Sequence, residues 1–161
     1  MTAAIALPTL PFPVLLVEDD TNDVLLIQRA FRQAGLSAPL RVADGEEAVA
    51  YLGCGEPYAD RERHPRPALV LLDLKLPRRG GLEVLEWLRA QPAAVSRVPV
   101  VVLTSSKESG DIERAYELGA NSYLVKPVRF DALLDMVKSL GSYWAVHNQT
   151  PPIDYGPGTG A

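Results

Sequence analysis

Cysteine is nearly absent: Cys54 is the only one in 161 residues, so no disulfide can close within the chain. That fits a reducing cytoplasm, and with no resolving partner Cys54 reads as an ordinary loop thiol. Long apolar runs are missing too. Val14 to Val17 and Ala68 to Leu72 fall far short of the roughly 18 residues that span a bilayer, so no membrane protein is expected. The first residues carry no Lys or Arg ahead of their apolar positions, and Pro8, Pro11 and Pro13 interrupt them, which is unlike a signal peptide. Basic charge is in deficit, with 16 Lys and Arg against 20 Asp and Glu, a net charge of −4 that offers no field for nucleic-acid phosphates. Histidine is scarce: His64 sits in a charged stretch and His147 near a helix end, and neither suggests a metal ligand or a base.

What is present is a chain that should fold, since 47% hydrophobic and 22% charged residues match globular proteins and are too apolar for a disordered one. Its organisation reads as a tail over 1–12, one domain over 13–141, and a helix end with a mobile tail over 142–161. Within the domain, short apolar runs alternate with amphipathic stretches. Val14 to Val17, Leu40 to Ala43, Ala68 to Leu72, Val98 to Leu103 and Ser122 to Val125 read as strands. Helices are expected over Asn22 to Ala34, from Asp44 on, over Gly81 to Ala90, from Ser105 to Gly119, and from Phe130 on. Asp20 reads as an N-cap. Asp44 with Glu47, and Ser105 with Glu108, read as capping boxes. The last helix carries a stripe of Phe130, Leu133, Leu134, Val137, Leu140 and Trp144, with Met136, Tyr143 and Val146 falling off it. Residues 53–67 read as a surface loop whose charges from Arg61 to Arg66 face solvent.

Five strands alternating with five helices predict an α/β fold with an open parallel sheet, whose ligands sit beyond the carboxyl ends of the strands. Those ends supply Glu18, Asp19 and Asp20, then Asp73, then Thr104 and Ser105, then Lys126. Clustered carboxylates repel, and a hard divalent cation such as Mg²⁺ is the simplest way to keep them ionised. An ammonium and a hydroxyl aimed at the same spot suit a tetrahedral anion, so the set reads as an aspartyl-phosphate site.

These residues resemble the response-regulator receiver domain of two-component signalling. The motifs Leu15-Leu16-Val17-Glu18-Asp19-Asp20, Leu71-Leu72-Asp73-Leu74-Lys75-Leu76-Pro77, Val102-Leu103-Thr104-Ser105 and Tyr123-Leu124-Val125-Lys126-Pro127 occur in the family's order. The resemblance implies a flavodoxin-like, doubly wound three-layer sandwich with strand order 2-1-3-4-5. It implies Asp73 as phosphoryl acceptor, Mg²⁺ on Asp19 and Asp73, with Glu18 through water and the carbonyl of Lys75, and Lys126 and Thr104 on the phosphoryl oxygens. Tyr123 becomes the aromatic that turns inward when Thr104 moves, and Lys75 and Ser106 tune the lifetime of the phosphate.

A narrower resemblance, carried by Val17 to Val24, the 53–67 loop and a final helix running into Ser142-Tyr143-Trp144, is to stand-alone regulators paired with phytochrome histidine kinases. It implies a histidine kinase or phosphotransfer protein as donor, while Met136, Tyr143 and Val146, lying off the stripe, read as an apolar surface for a homodimer through the fourth helix, fifth strand and fifth helix in preference to a helix end packed on its own tail. Two other readings compete. A phosphatase using Asp73 as nucleophile, like the haloacid dehalogenases, expects an acid where Lys75 stands. A pseudo-receiver is disfavoured because the acid, Thr and Lys positions are intact.

Overall fold

The computed structural model describes residues 12–151; of the tails expected over 1–12 and 142–161, residues 1–11 and 152–161 lie outside the described residues. Five parallel strands run β1 (Val14–Val17), β2 (Leu40–Val42), β3 (Leu69–Leu72), β4 (Val100–Thr104) and β5 (Ser122–Val125), ordered β2-β1-β3-β4-β5. Five helices connect or follow them: α1 (Thr21–Gln33), α2 (Gly45–Leu52), α3 (Gly81–Arg89), α4 (Ser109–Glu117) and α5 (Phe130–Leu140). This is the α/β doubly wound sheet the sequence predicts. None of the described helices is long and apolar enough to cross a membrane.

The sheet explains why its strands are unbroken apolar runs. Helices cover both faces, so successive side chains are buried on alternate sides. Val14 and Leu16 of β1 pack with Ile27, Ala30 and Phe31 of α1 and Leu133, Val137 and Leu140 of α5. Leu15 and Val17 pack on the other side with Ala48 and Leu52 of α2 and Val84, Leu85 and Leu88 of α3. The chain winds outward from β1 to β2 and then back past β1 to β3, and right-handed crossovers place helices on opposite faces as the direction reverses. The crevice at that reversal lies between β1 and β3.

Helix ends follow the expected chemistry at two places. Asp20 caps α1 by accepting from the Asp23 N–H at 2.9 Å, and Asp44 caps α2 by accepting from the Glu47 N–H at 2.8 Å. The Glu47 carboxylate reaches back to the Ala43 N–H, one residue ahead of the cap, and also accepts from the Tyr58 hydroxyl. The Ser105–Glu108 capping box does not form. Helix α4 starts at Ser109 with Glu108 at its N-cap and no side-chain bond there. Ser106 holds the preceding turn instead: its hydroxyl donates to Asp111 and accepts from the Glu108 N–H, while its carbonyl accepts from the Tyr123 hydroxyl.

Three other expectations change. The stripe of α5 does not continue in one α-helix, because Gly141–His147 forms a wider π-helical turn. A Cβ on Gly141 would come within 2.6 Å of Leu36, so its absence lets this end approach the α1–β2 connection. Met136 is not off the core; it packs partly buried against it, whereas Tyr143 and Val146 are exposed. Arg61 does not face solvent freely: its guanidinium donates to the carbonyls of Tyr51 and Leu52 at the end of α2 and of His64 in the loop. Arg66 is likewise half-buried. His64 packs edge-on against Tyr58 and Tyr51, so residues 53–67 are a built structure. One helical turn, Ala93–Ser96, was not expected.

Two glycines test this packing. A Cβ at Gly81 would lie 2.2 Å from the Asp73 carbonyl oxygen, whereas one at Gly110 meets nothing within 4 Å. Gly81→Ala is expected to lose about 3 kcal/mol of stability by overpacking against backbone. Gly110→Ala, at a helical position in open space, is expected to gain about 0.5–1 kcal/mol. Urea denaturation of the two variants checks this, and equal midpoints would contradict it.

Candidate functional site

The sheet ladder continues one residue past several strand ends and so fixes the residues that carry the chemistry. The Glu18 N–H donates to the Val42 carbonyl at 3.1 Å, the Asp73 N–H to the Val17 carbonyl at 3.1 Å, and the Lys126 N–H to the Thr104 carbonyl at 2.7 Å. Glu18, Asp73, Thr104 and Lys126 are therefore held by backbone bonds to neighbouring strands rather than by loops. Glu18, Asp73 and Thr104 are buried, whereas Asp19 is exposed beside them.

Their charges converge on one ammonium. Lys126 Nζ lies 2.5 Å from Glu18 Oε2, 2.9 Å from Asp23 Oδ2 and 3.1 Å from Asp73 Oδ2. Burial alone would lower the Lys126 pKa, but its bonds to Glu18 and Asp23 and the Asp73 charge raise it above the ordinary lysine value. Burial pushes the Glu18 carboxyl up to about 7; the Lys126 bond opposes this and the Asp73 charge adds to it. The remaining Asp73 oxygen, Oδ1, accepts from the Leu74 N–H at 2.8 Å.

Carboxylate oxygens of Glu18, Asp19 and Asp73 lie within 4.8 Å of one another. Three hard oxygen donors with one carboxyl driven towards neutrality suit a small divalent cation, which would restore the missing positive charge. Thr104 offers something different. Its Oγ1 is buried and has no hydrogen-bond partner among the described residues, an arrangement that leaves a donor ready for an acceptor. Tyr123 is half-buried with its hydroxyl donating to the Ser106 carbonyl at 2.9 Å, and burial raises its pKa. The Lys75 side chain points out to Asp111 at 3.6 Å.

Reasoning from sequence missed two participants. Asp23 in the first turn of α1 contacts Lys126 across 103 positions of chain. Asp20 caps α1 on the Asp23 N–H, and that cap turns a third acid of the same acidic run towards the site. Arg41 of β2 donates to the Glu18 carbonyl at 3.0 Å and the Asp19 carbonyl at 3.2 Å, pinning the backbone that presents both acids. Nothing in its local pattern signals that role.

Residues 14–138 match the family model described as the response regulator receiver domain. The probable methanogenesis regulatory protein FilR2 of Methanothrix harundinacea is 39% identical over 142 residues, covering 88% of each chain. Response regulator Rcp1 of Synechocystis is 38% identical over 135 residues, covering 83% of this chain and 89% of its own. The Mn²⁺-bound structure of Rcp1 superposes with a TM-score of 0.78, covering 88% of this chain and 100% of that one. The phosphorylated cyanobacterial phytochrome response regulator RcpA superposes with a TM-score of 0.79 at 37% identity, covering 87% of this chain and 98% of that one.

The buried Glu18 carboxyl predicts a pH dependence. A carboxyl raised from 4.5 to about 7 favours the folded state in its protonated form, so this stability is complete below about pH 4.5 and is lost as pH rises through 7. Without divalent cations, wild type should lose up to about 3 kcal/mol relative to Glu18→Gln between pH 4.5 and 8. Urea unfolding of both proteins across that range, with chelator present, checks it; parallel curves would refute the burial argument.

Proposed function

The chain belongs to the response regulator receiver family, and we propose that it accepts a phosphoryl group from a histidine kinase onto Asp73. Its similarity to phytochrome response regulators supports a phytochrome-type kinase, directly or through a histidine phosphotransfer protein, as the donor. The observation that carries the reading is the pairing of a buried Asp73 held by Lys126 with a buried Thr104 hydroxyl that has no partner.

The chemistry needs little covalent help from the protein. A carboxylate oxygen of Asp73 forms the new bond to phosphorus as the bond to the donor's histidine nitrogen breaks, and the leaving imidazole takes up a proton. Lys126, already 3.1 Å from Asp73, passes a hydrogen bond to the arriving phosphoryl oxygens. The Thr104 hydroxyl donates to another of those oxygens. Glu18, Asp19 and Asp73, with the carbonyl of Lys75, would hold Mg²⁺, which neutralises charge on the phosphoryl oxygens when bound. Water attack on the acyl phosphate later returns the Asp73 carboxylate and releases inorganic phosphate, so the protein is a self-resetting switch rather than an enzyme acting on other substrates.

The signal leaves through protein contact. Thr104 ends β4, and the turn after it is tied by Tyr123 of β5 and by Asp111 of α4. A pull on Thr104 is therefore felt on the α4–β5–α5 face. We assign a homodimer to that face, supported by exposed Tyr116 on α4 and exposed Tyr143 and Val146 beyond α5.

Intact mass after exposure to acetyl phosphate and Mg²⁺ should show one added phosphoryl group, none with chelator and none in Asp73→Asn. A phytochrome kinase should transfer faster than unrelated kinases. Addition that survives in Asp73→Asn would overturn the acceptor assignment, and equal transfer from all kinases would overturn the pairing. Sedimentation should show a dimer that Tyr143→Asp weakens at least about tenfold, the scale of one lost interface anchor. A monomer at high concentration, phosphorylated or not, would remove the dimer.

A further inference from the structure

We propose that Asp23 is a positioning residue for the phosphoryl transfer, and that it acts by orienting the Lys126 ammonium. This rests on the reading of Asp73 as acceptor.

A lysine ammonium has three N–H donors on a freely rotating tip, and a flexible four-carbon stem gives it no preferred direction. Here three carboxylates lie within 3.1 Å of it: Asp23 and Asp73 accept hydrogen bonds from Nζ, and Glu18 is ion-paired with it. Glu18 and Asp73 lie on adjacent strands β1 and β3, so between them they leave the ammonium free to swing about the line joining them. Asp23 comes from outside the sheet, on the first turn of α1, and removes that freedom. Its own position is set by the Asp20 cap at 2.9 Å, so the geometry of the helix start is transmitted to the lysine tip.

The consequence is specific to the reacting state. When Asp73 carries a phosphoryl group, the donor that pointed at Asp73 must meet a phosphoryl oxygen, whereas the donor to Asp23 keeps its partner and the ion pair with Glu18 stays in place. Asp23 therefore aims one N–H at the place where charge is transferred before the transfer begins, which is the kind of prior orientation that lowers a barrier. The Asp23 side chain is 37% exposed, so its removal leaves no buried vacancy and the fold should survive.

The test uses acetyl phosphate with saturating Mg²⁺, which avoids any effect on kinase docking, and follows Asp73 phosphorylation by intact mass. Asp23→Ala should lower the maximal rate about tenfold, the effect of one charge-assisted hydrogen bond, while leaving the half-saturating Mg²⁺ concentration within twofold. Asp23→Glu, which keeps the charge, should recover part of the loss. In a Lys126→Met background Asp23→Ala should change nothing further, which a merely structural role would not produce. Without metal or phosphodonor, the Lys126 ammonium signal in ¹⁵N NMR should exchange with solvent about tenfold faster in Asp23→Ala than in wild type. Unchanged rates in Asp23→Ala with normal labelling of wild type would overturn this inference alone. The same holds for equal losses in the Lys126 and Met backgrounds, or for unchanged ammonium exchange. Failure of wild type to label on Asp73 would overturn the acceptor reading and this inference with it.

Discussion

One ammonium shared among three carboxylates is the constraint on which the rest of the site depends. Glu18 and Asp73 are buried side by side, and the Lys126 ammonium, within 3.1 Å of both, offsets their mutual repulsion while burial still pushes the Glu18 carboxyl up to about 7. The arrangement is possible because four functional positions are tied into the parallel ladder by backbone bonds. The central strands β1 and β3, covered on both faces, carry no polar side chains along their length. Their polarity is forced to the carboxyl ends, and the reversal of winding between β1 and β3 opens a crevice there.

Around this rigid centre the connecting turns are fastened lightly. Arg78 meets Asp44 at 3.7 Å, Arg79 meets Glu46 at 2.9 Å, and Lys75 meets Asp111 at 3.6 Å, all with at least one largely exposed partner. Such pairs are worth little individually, so they position a turn without locking it. The Ser106 turn is held somewhat better, by the Asp111 carboxylate and the Tyr123 hydroxyl. Rigid charges and movable rims are what a switch requires: the reacting atoms stay placed while the segments that report the reaction can shift.

The strands were legible because their apolar runs are bounded by acids, hydroxyls or lysine, and the Asp20 and Asp44 caps because cap chemistry is local. What could not be read was non-local. Ser105 and Glu108 have capping-box spacing, but the bonds that Ser106 makes to Asp111 and Tyr123 hold the turn out of the helix. Arg61 has the look of a solvated charge, yet carbonyls at the end of α2 and at His64 in the 53–67 loop recruit it. Asp23 and Arg41 reach the site across tertiary contacts that no local pattern encodes. The π-helical turn after Leu140 depends on Leu36 lying opposite Gly141, again a contact distant in sequence.

In the proposed switch, the buried Thr104 hydroxyl would set the direction. A buried hydroxyl without a partner costs about 1–3 kcal/mol relative to one that is bonded. In the resting state the fold tolerates that loss because the neighbouring backbone is satisfied through the Lys126 N–H on the Thr104 carbonyl. On the proposed reading, a phosphoryl oxygen on Asp73 would supply the missing acceptor, and the hydroxyl would gain its bond by movement of Thr104 and the turn beyond it towards that acceptor. The gain is of the same order as the bonds holding Ser106, which is the condition for a two-state element: a much smaller gain would leave the turn in place, and a much larger one would hold it displaced without phosphate. In the proposed switch the charge-sharing at Lys126 and the unpartnered hydroxyl at Thr104 would be complementary, one fixing where the phosphoryl group lands and the other converting its arrival into a shift at the α4–β5 surface.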